Sequence, residues 1–307
     1  MQTAAIVTAI RRRLEALLRP PADVYYPFVV DSRPLGWIDA ARARRLSWFD
    51  DTLVVGSDSI RFADGIDSRS ARSEAIDAVA RALSEEGLLS AWRGERYAVV
   101  SEFGEAPAFE LERCAARFFG IRTFAAHVNG IVGDGRDAKL WFSRRSPAKA
   151  IDPGLLDNLV GGGIPVGATV AATVIKEAWE EAGIPASLAT RARPAATLTL
   201  CRAHPLGLER ETVFAHDLEL PSDFSPAAID GEVVEFRLET VAEAARLIAQ
   251  HDGPDVVTAD ASLVVLDWML RNGAIGDPGN RAALSALCTT ALAPAHGVPA
   301  ASKAARR

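Results

Sequence analysis

From Gly162 to Ile184 the chain reads Gly-Gly-Ile-Pro-Val-Gly-Ala-Thr-Val-Ala-Ala-Thr-Val-Ile-Lys-Glu-Ala-Trp-Glu-Glu-Ala-Gly-Ile. A strand-like run, Leu155 to Val160, leads into Gly161, Gly162 and Gly163, and a helical stretch runs from about Thr169 to Ala182. Gly183 stands where that helix stops, with Pro185 beyond it. The order is strand, glycine loop, helix. Glu177, Glu180 and Glu181 lie at i, i+3 and i+4, so their carboxylates share one helix face within a single turn. Each like-charge pair at this spacing costs about 0.2–0.5 kcal/mol, and the negative end of the helix dipole adds to it. Lys176 relieves part of this. A hard divalent cation held by carboxylate oxygens, Mg2+ or Mn2+, would turn the repulsion into coordination. The competing account is a solvated acidic face. Trp179, on a different face from Glu177, reads as packing.

This stretch resembles the Nudix box, G-x5-E-x7-R-E-U-x-E-E-x-G-U with U aliphatic. Glu177, Glu180, Glu181 and Gly183 fall on the box's glutamate and glycine positions, with Ala178 and Ile184 on the apolar ones. Two positions depart: Lys176 stands where the box has Arg, and Ala168 where it has its first Glu. Lysine keeps the charge but lacks the planar fork that holds a carboxylate bidentately. The missing glutamate removes an outer ligand or helix-orienting contact. Outside the box, the runs Phe119 to Gly130, Leu140 to Lys149, Pro153 to Asn158, Asp217 to Pro221 and Asp230 to Val233 are similar to the Nudix subgroup related to thiamine pyrophosphokinase. That subgroup often shows Lys at the Arg position and lacks the first box Glu. The match covers about residues 110–272, and the first hundred residues resemble the domain of unknown function that precedes this subgroup's Nudix fold.

The resemblance implies an α/β fold of α+β type: a Nudix αβα sandwich around a mixed sheet, preceded by a small α+β domain. It also implies metal-dependent hydrolysis of an X-O-P-O-P bond in a small-molecule diphosphate, with Mg2+ or Mn2+ on Glu177, Glu180 and Glu181 and Lys176 beside them. Thiamine diphosphate or an oxidised analogue is the substrate class that the subgroup suggests. ADP-ribose or NADH-type diphosphates, or a non-catalytic module that binds a ligand or partner, are the alternatives, and Ala168 is the best support for the last. A dinucleotide fold, which Gly161, Gly163 and Gly167 bring to mind, has the wrong spacing and no βαβ pattern after it.

The resemblance also implies a carboxylate brought from a late loop toward the metals, and Glu232, in Asp230-Gly231-Glu232, is the candidate for that general base or further metal ligand; an ordinary turn acid before a strand is the other account. Arg144, Arg145 and Lys149 cluster at a strand end and loop, where arginine forks suit phosphate oxygens, against the alternative of a solvated basic loop. Gly162 and Gly163 join them as ligand-binding candidates. His127 and Asn129 share one side of a strand, either lining a pocket or hydrogen-bonded in the core.

Around this segment, 307 residues suggest about two domains: residues 1–108 as an α+β accessory domain, 109–275 as the Nudix domain and 276–307 as a flexible tail. Helices are expected over 4–18, stopped by Pro20-Pro21, and over about 70–87, 109–119, 241–250 and 261–271. Strands are expected over 24–30, 35–38, 96–100, 123–132, 139–143, 213–220 and 233–238. Composition, 49% hydrophobic and 24% charged, excludes a disordered chain, and no apolar run approaches the ~20 residues of a membrane helix. Lys+Arg of 34 against Asp+Glu of 40 gives −6, which argues against nucleic acid and membrane surfaces as partners. Cys114, Cys201 and Cys288 are odd in number and widely spaced, and with no secretory signal this points to a reducing, cytoplasmic setting. The oligomeric state is not readable.

Overall fold

A computed structural model describes residues 4–19, 24–275 and 278–289. Helix α1 (Ala4–Leu17) forms as expected and buries Val7, Ile10 and Leu14, with Ile6 and Leu17 half-buried beside them; Pro20-Pro21 lies outside the described residues. Strands β1 (Tyr25–Val30) and β2 (Arg33–Asp39) form the expected hairpin, turned at Asp31 and Ser32, both with positive φ. Helix α2 (Ala40–Leu46), capped by the Asp39 carboxylate, leads to β3 (Leu53–Val55) and β4 (Ile60–Phe62), which complete a sheet of order β2-β1-β4-β3. None of these three is expected from the sequence: the strands are too short to show alternation, and α2 carries three arginines in seven residues. Helix α3 (Arg69–Glu85) buries Ile76, Val79, Ala80 and Leu83 against this sheet's core.

The helix expected over Phe109–Phe119 is absent. Strand β6 (Phe109–Glu112) pairs antiparallel with β5 (Arg96–Val99), and one 3-10 turn, Arg113–Ala115, follows it. Phe109 and Leu111 are buried at period two, and Phe119 reaches Phe28 with ring centroids 6.1 Å apart. The N-terminal core therefore runs on to Ile121, beyond the boundary expected at residue 108. Gly120 ends it at φ +53°, where a Cβ would overlap the Trp37 carbonyl, so only glycine fits.

A second sheet of seven strands follows. Its elements are β7 (Arg122–Val132), β8 (Lys139–Arg145), β9 (Leu156–Asn158), β10 (Val160–Gly163), β11 (Arg193–His204), β12 (Gly207–Glu219) and β13 (Val233–Thr240). The order is β11-β12-β7-β8-β13, with β10 on β7 and β9 on β8; β7 and β12 run parallel and the other pairs antiparallel, so the sheet is mixed. Helices α4 (Val170–Ala182) and α5 (Ala186–Ala189) pack on one face around Val128, Leu159 and Leu218. On the other face α1 meets α6 (Val241–Leu247), α7 (Ala259–Arg271) and α8 (Pro278–Leu287) over Leu140, Phe142 and Val213. This is the expected αβα sandwich behind a small α+β unit.

Three segments differ from expectation. The glycine loop is strand: Gly161, Gly162 and Gly163 pair with His127, Ala126 and Ala125. Strand β12 begins six residues before the expected Val213, because Glu209, Arg210 and Glu211 are charged yet lie inside the sheet. Its hairpin partner β11 is not among the expected strands. The tail expected over 276–307 contains α8, with Leu284 and Cys288 buried and the Thr199 amide donating to the Cys288 carbonyl at 3.0 Å. Residues 290–307 lie outside those described. No helix among the described residues is long and apolar enough to cross a membrane.

Helix α1 is bound into the second unit by a buried arginine. Arg13 donates to the Ile248 carbonyl at 2.9 Å, the Val257 carbonyl at 2.5 Å and the Ser262 hydroxyl at 2.8 Å, and burial pulls its pKa down to about 10, still charged at neutral pH. Replacing it with an apolar side chain strands these acceptors. Urea unfolding of Arg13→Met should show a loss of at least about 1–3 kcal/mol, with α1 undocking first.

Candidate active site

Helix α4 is fixed at both ends before its carboxylates are placed. Thr169 accepts from the Ala172 amide, and Gly183 closes the helix in the left-handed region at φ +64°. The loop of residues 227–232 caps the last turn, with Ala227 N donating to the Ala182 carbonyl at 3.1 Å and Ile229 N to the Glu180 carbonyl at 2.8 Å. A Cβ on Gly183 would meet the Ala227 carbonyl at 2.8 Å, so this docking needs the glycine. It carries Glu232 to the acidic face of α4.

The resulting cleft is lined by Glu177, Glu180, Glu181 and Glu232, whose charge Lys176, Lys149 and Arg93 offset. Lys176 Nζ lies 3.0 Å from Glu177 Oε1 and 2.6 Å from Glu180 Oε2. Lys149 Nζ bonds Glu232 Oε2 and stands 3.5 Å from Glu181 Oε1, while Glu181 Oε2 accepts from the Gly161 amide at 2.8 Å. Burial pushes the Glu181 carboxyl up to about 7 and also raises that of Glu177. For Glu232 burial works upward but Lys149 and Arg93 prevail, and its pKa falls to about 2. Trp179, read as packing, is 51% exposed.

Gly162 and Gly163 serve by lacking side chains. A Cβ on Gly162 would overlap the Glu177 side chain, and one on Gly163 the Tyr97 hydroxyl. Of the basic cluster, Lys149 and Arg145 reach the site region and Arg144 does not. Neighbours on β8 point to opposite faces: Arg145 bonds Asp157 Oδ2 at 2.8 Å, whereas Arg144 bonds Glu235, Asp255 Oδ1 at 2.6 Å and the Pro254 carbonyl at 2.6 Å. Arg144 is thereby withdrawn from ligand binding. Ala168 packs at the margin of the α4 core, outside the cleft.

The cleft offers hard oxygen donors only, the chemistry that suits Mg2+ or Mn2+. Among the described residues no three ligating side chains converge on one point; Lys176 and Lys149 now hold the carboxylates that such an ion would take. Glu177, Glu180 and Glu181 are the residues that would hold it.

Behind β10 lies a second, polar chamber between the two units. Its walls include Tyr97 and Arg117 from the first unit, and His127, Asp157, Glu211 and Asp260 from the second. His127 is both expected things at once: it lines the chamber and is hydrogen-bonded, with Nδ1 2.9 Å from Asn158 Oδ1. Burial lowers its pKa, but Asp260 and Asp157, each 3.7 Å away, bring it above its ordinary value. Asn129 instead joins Asn158 and Asp217 in a structural network. Burial pushes Glu211 up to about 7, and the Thr123 hydroxyl donates to it at 3.1 Å. Sequence reasoning missed Glu211 and every first-unit residue here. The available signal was Glu209 and Glu211, two apart on a strand whose continuation is apolar.

The NUDIX domain family matches residues 123–260, and a domain of unknown function, DUF4743, matches residues 13–123. Nudix hydrolase 24, chloroplastic, of Arabidopsis thaliana is 34% identical over 253 residues, spanning 82% of this chain and 68% of that one. The chain belongs to the Nudix hydrolase family. Nudix hydrolase 20, chloroplastic, of the same plant is 34% identical over 261 residues, spanning 82% of this chain and 69% of that one. A Deinococcus radiodurans crystal structure is 26% identical, covers 55% of this Nudix hydrolase and 97% of its own chain, and superposes with a TM-score of 0.43. Nudix hydrolases act on diphosphate bonds, and the acidic cleft is where this one carries the box glutamates.

Two measurements test the site. Because the Glu181 pKa lies above its unfolded value of 4.5, the folded metal-free protein binds more protons than the unfolded chain between pH 4.5 and about 7. This group therefore costs stability as pH rises through that window. Thermal melts in a chelator should fall from pH 5 to 8, and Glu181→Gln should flatten the slope. Gly162→Ala should displace Glu177 and cut turnover at least about tenfold, or about 1.4 kcal/mol, with a melting temperature close to wild type.

Proposed function

We propose that this Nudix hydrolase cleaves a thiamine-type diphosphate, thiamine diphosphate or an oxidised analogue, to the monophosphate and inorganic phosphate. The observation that carries this is the acidic cleft opening into a polar chamber lined by ionisable side chains of both signs. A small hydrogen-bonding heterocycle suits such walls. The likeness of Phe119 to Val233 to the thiamine pyrophosphokinase-related subgroup narrows the choice to this substrate class.

A bound Mg2+ or Mn2+ would neutralise diphosphate oxygens and so admit a nucleophilic water. The protein's own contribution begins with Glu177, Glu180 and Glu181, which present oxygen donors from one rigid helix turn. Lys176 sets the orientation of Glu177 and Glu180. Gly161 N orients Glu181. Discrimination rests on the chamber, since every diphosphate offers the same oxygens to the cleft.

The test is kcat/KM for thiamine diphosphate, its oxidised analogues, ADP-ribose, NADH and nucleoside triphosphates, with Mg2+ and then Mn2+. A thiamine-type substrate should lead, and a tenfold preference for ADP-ribose or NADH, about 1.4 kcal/mol, would discard it. Chelation should abolish turnover. Glu180→Gln and Glu181→Gln should each lower it by about a hundredfold or more, with no loss of thermal stability because each removes a crowded charge. Unchanged turnover in both would sink the metal-site assignment.

A further inference from the structure

The acidic cleft and the polar chamber meet at a neck, and five residues wall both spaces: Arg93, Arg113, Lys149, Gly161 and Gly162. The neck thus has three cationic side chains and two positions without side chains. Two of the three cations come from the N-terminal unit. Arg93 Nη1 donates to Glu232 Oε1 at 2.8 Å, and the Arg93 amide donates to Glu112 Oε1 at 3.1 Å, which ties this segment to β6. Arg113 Nη1 donates to Glu95 Oε2 at 2.6 Å, with its guanidinium carbon 5.8 Å from the Tyr97 ring centroid. Tyr97 lies against Gly163, so the same contact that fits β10 to the first unit also places Arg113.

A substrate with its diphosphate at the α4 carboxylates and its organic part in the chamber has to lay its phosphates through this neck. Resting on the hydrolase reading above, we propose that the N-terminal unit is half of the substrate site, with Arg93 and Arg113 seating the diphosphate of an organic diphosphate opposite the acidic helix. Guanidinium forks match phosphate oxygens in pairs, and Lys149 adds a point charge from the Nudix side. The seat also fills the role that Arg144, turned away, does not perform. The first unit thereby takes part in binding, because it brings positive charge to a cleft whose own helix is acidic.

Calorimetry with methylenediphosphonate, a non-hydrolysable diphosphate, tests this on the full chain in Mg2+. Arg93→Met and Arg113→Met should each weaken binding tenfold or more, while Arg61→Met, on an exposed position of β4, should leave it unchanged. In turnover the two variants should raise KM more than they lower kcat, the pattern of lost uniform binding. A merely structural role would lower the melting temperature and leave affinity intact. Should Arg113→Met fail to fold, Arg113→Lys keeps the charge without the fork and should still lose affinity. Wild-type affinity in Arg93→Met together with either folded Arg113 variant overturns the proposal, as does a wild-type chain that does not bind the probe. A chain that binds the probe through these arginines but turns over no diphosphate would uphold the seat and reject the hydrolase reading; turnover unaffected in the variants would do the reverse.

Discussion

Glu177, Glu180, Glu181 and Glu232 crowd one cleft and repel each other, and much of the surrounding architecture exists to hold them there. Glu177, Glu180 and Glu181 are fixed in spacing by the helix itself, so they cannot move apart without unwinding α4. Relief comes from Lys176 in the same turn and, from outside the helix, from Lys149 in the loop after β8, Arg93 of the N-terminal unit and a backbone amide of β10. The loop carrying Glu232 adds a fourth negative charge, yet its amides satisfy the carbonyls that α4 leaves open at its end. A helix that would be poor in isolation is thus made stable by what docks on it.

The same constraint explains why the triple glycine is a strand. Glu177 lies over Gly162, Tyr97 over Gly163, and the His127 ring comes within 2.9 Å of where a Gly161 Cβ would stand. Three successive positions give up side chains so that three functional groups from different elements can approach one backbone. Glycine in a strand weakens it, and pairing along β7 offsets that cost.

What could be read from the sequence was whatever repeats with a period and stays local. The α4 carboxylates, the Gly183 stop, the stripes of α1 and α3 and the strands β7, β8 and β13 all declare themselves by spacing. Glu232 was singled out only through the family resemblance, because on its own Asp230-Gly231-Glu232 reads equally well as a turn. Beyond the short elements of the first sheet, the misses share one cause, a contact distant in sequence that overrides a local pattern. Phe109 to Phe119 looks helical until β5 is there to pair with it. Glu209 and Glu211 disguise the start of β12 because an interior polar chamber reverses the usual rule for a buried strand. Arg144 and Arg145 are indistinguishable as letters, and only the pleat of β8 sends one to Asp157 and the other to Glu235. Arg93 and Arg113 carry no motif, since what sets them apart is the other unit.

Helix α1 precedes the N-terminal unit in sequence but packs on the far side of the Nudix sheet, clasped there by Arg13. The chain thus leaves the Nudix layers, builds a separate core and returns to them at β7. Topologically the first unit is an insertion between two parts of one sandwich, anchored at both of its ends. Such a unit lacks the freedom of a bead on a single linker, and a cut near residue 123 would take α1 away with it. The two halves form a closed circuit of chain, which keeps the wall contributed by one in register with the floor contributed by the other.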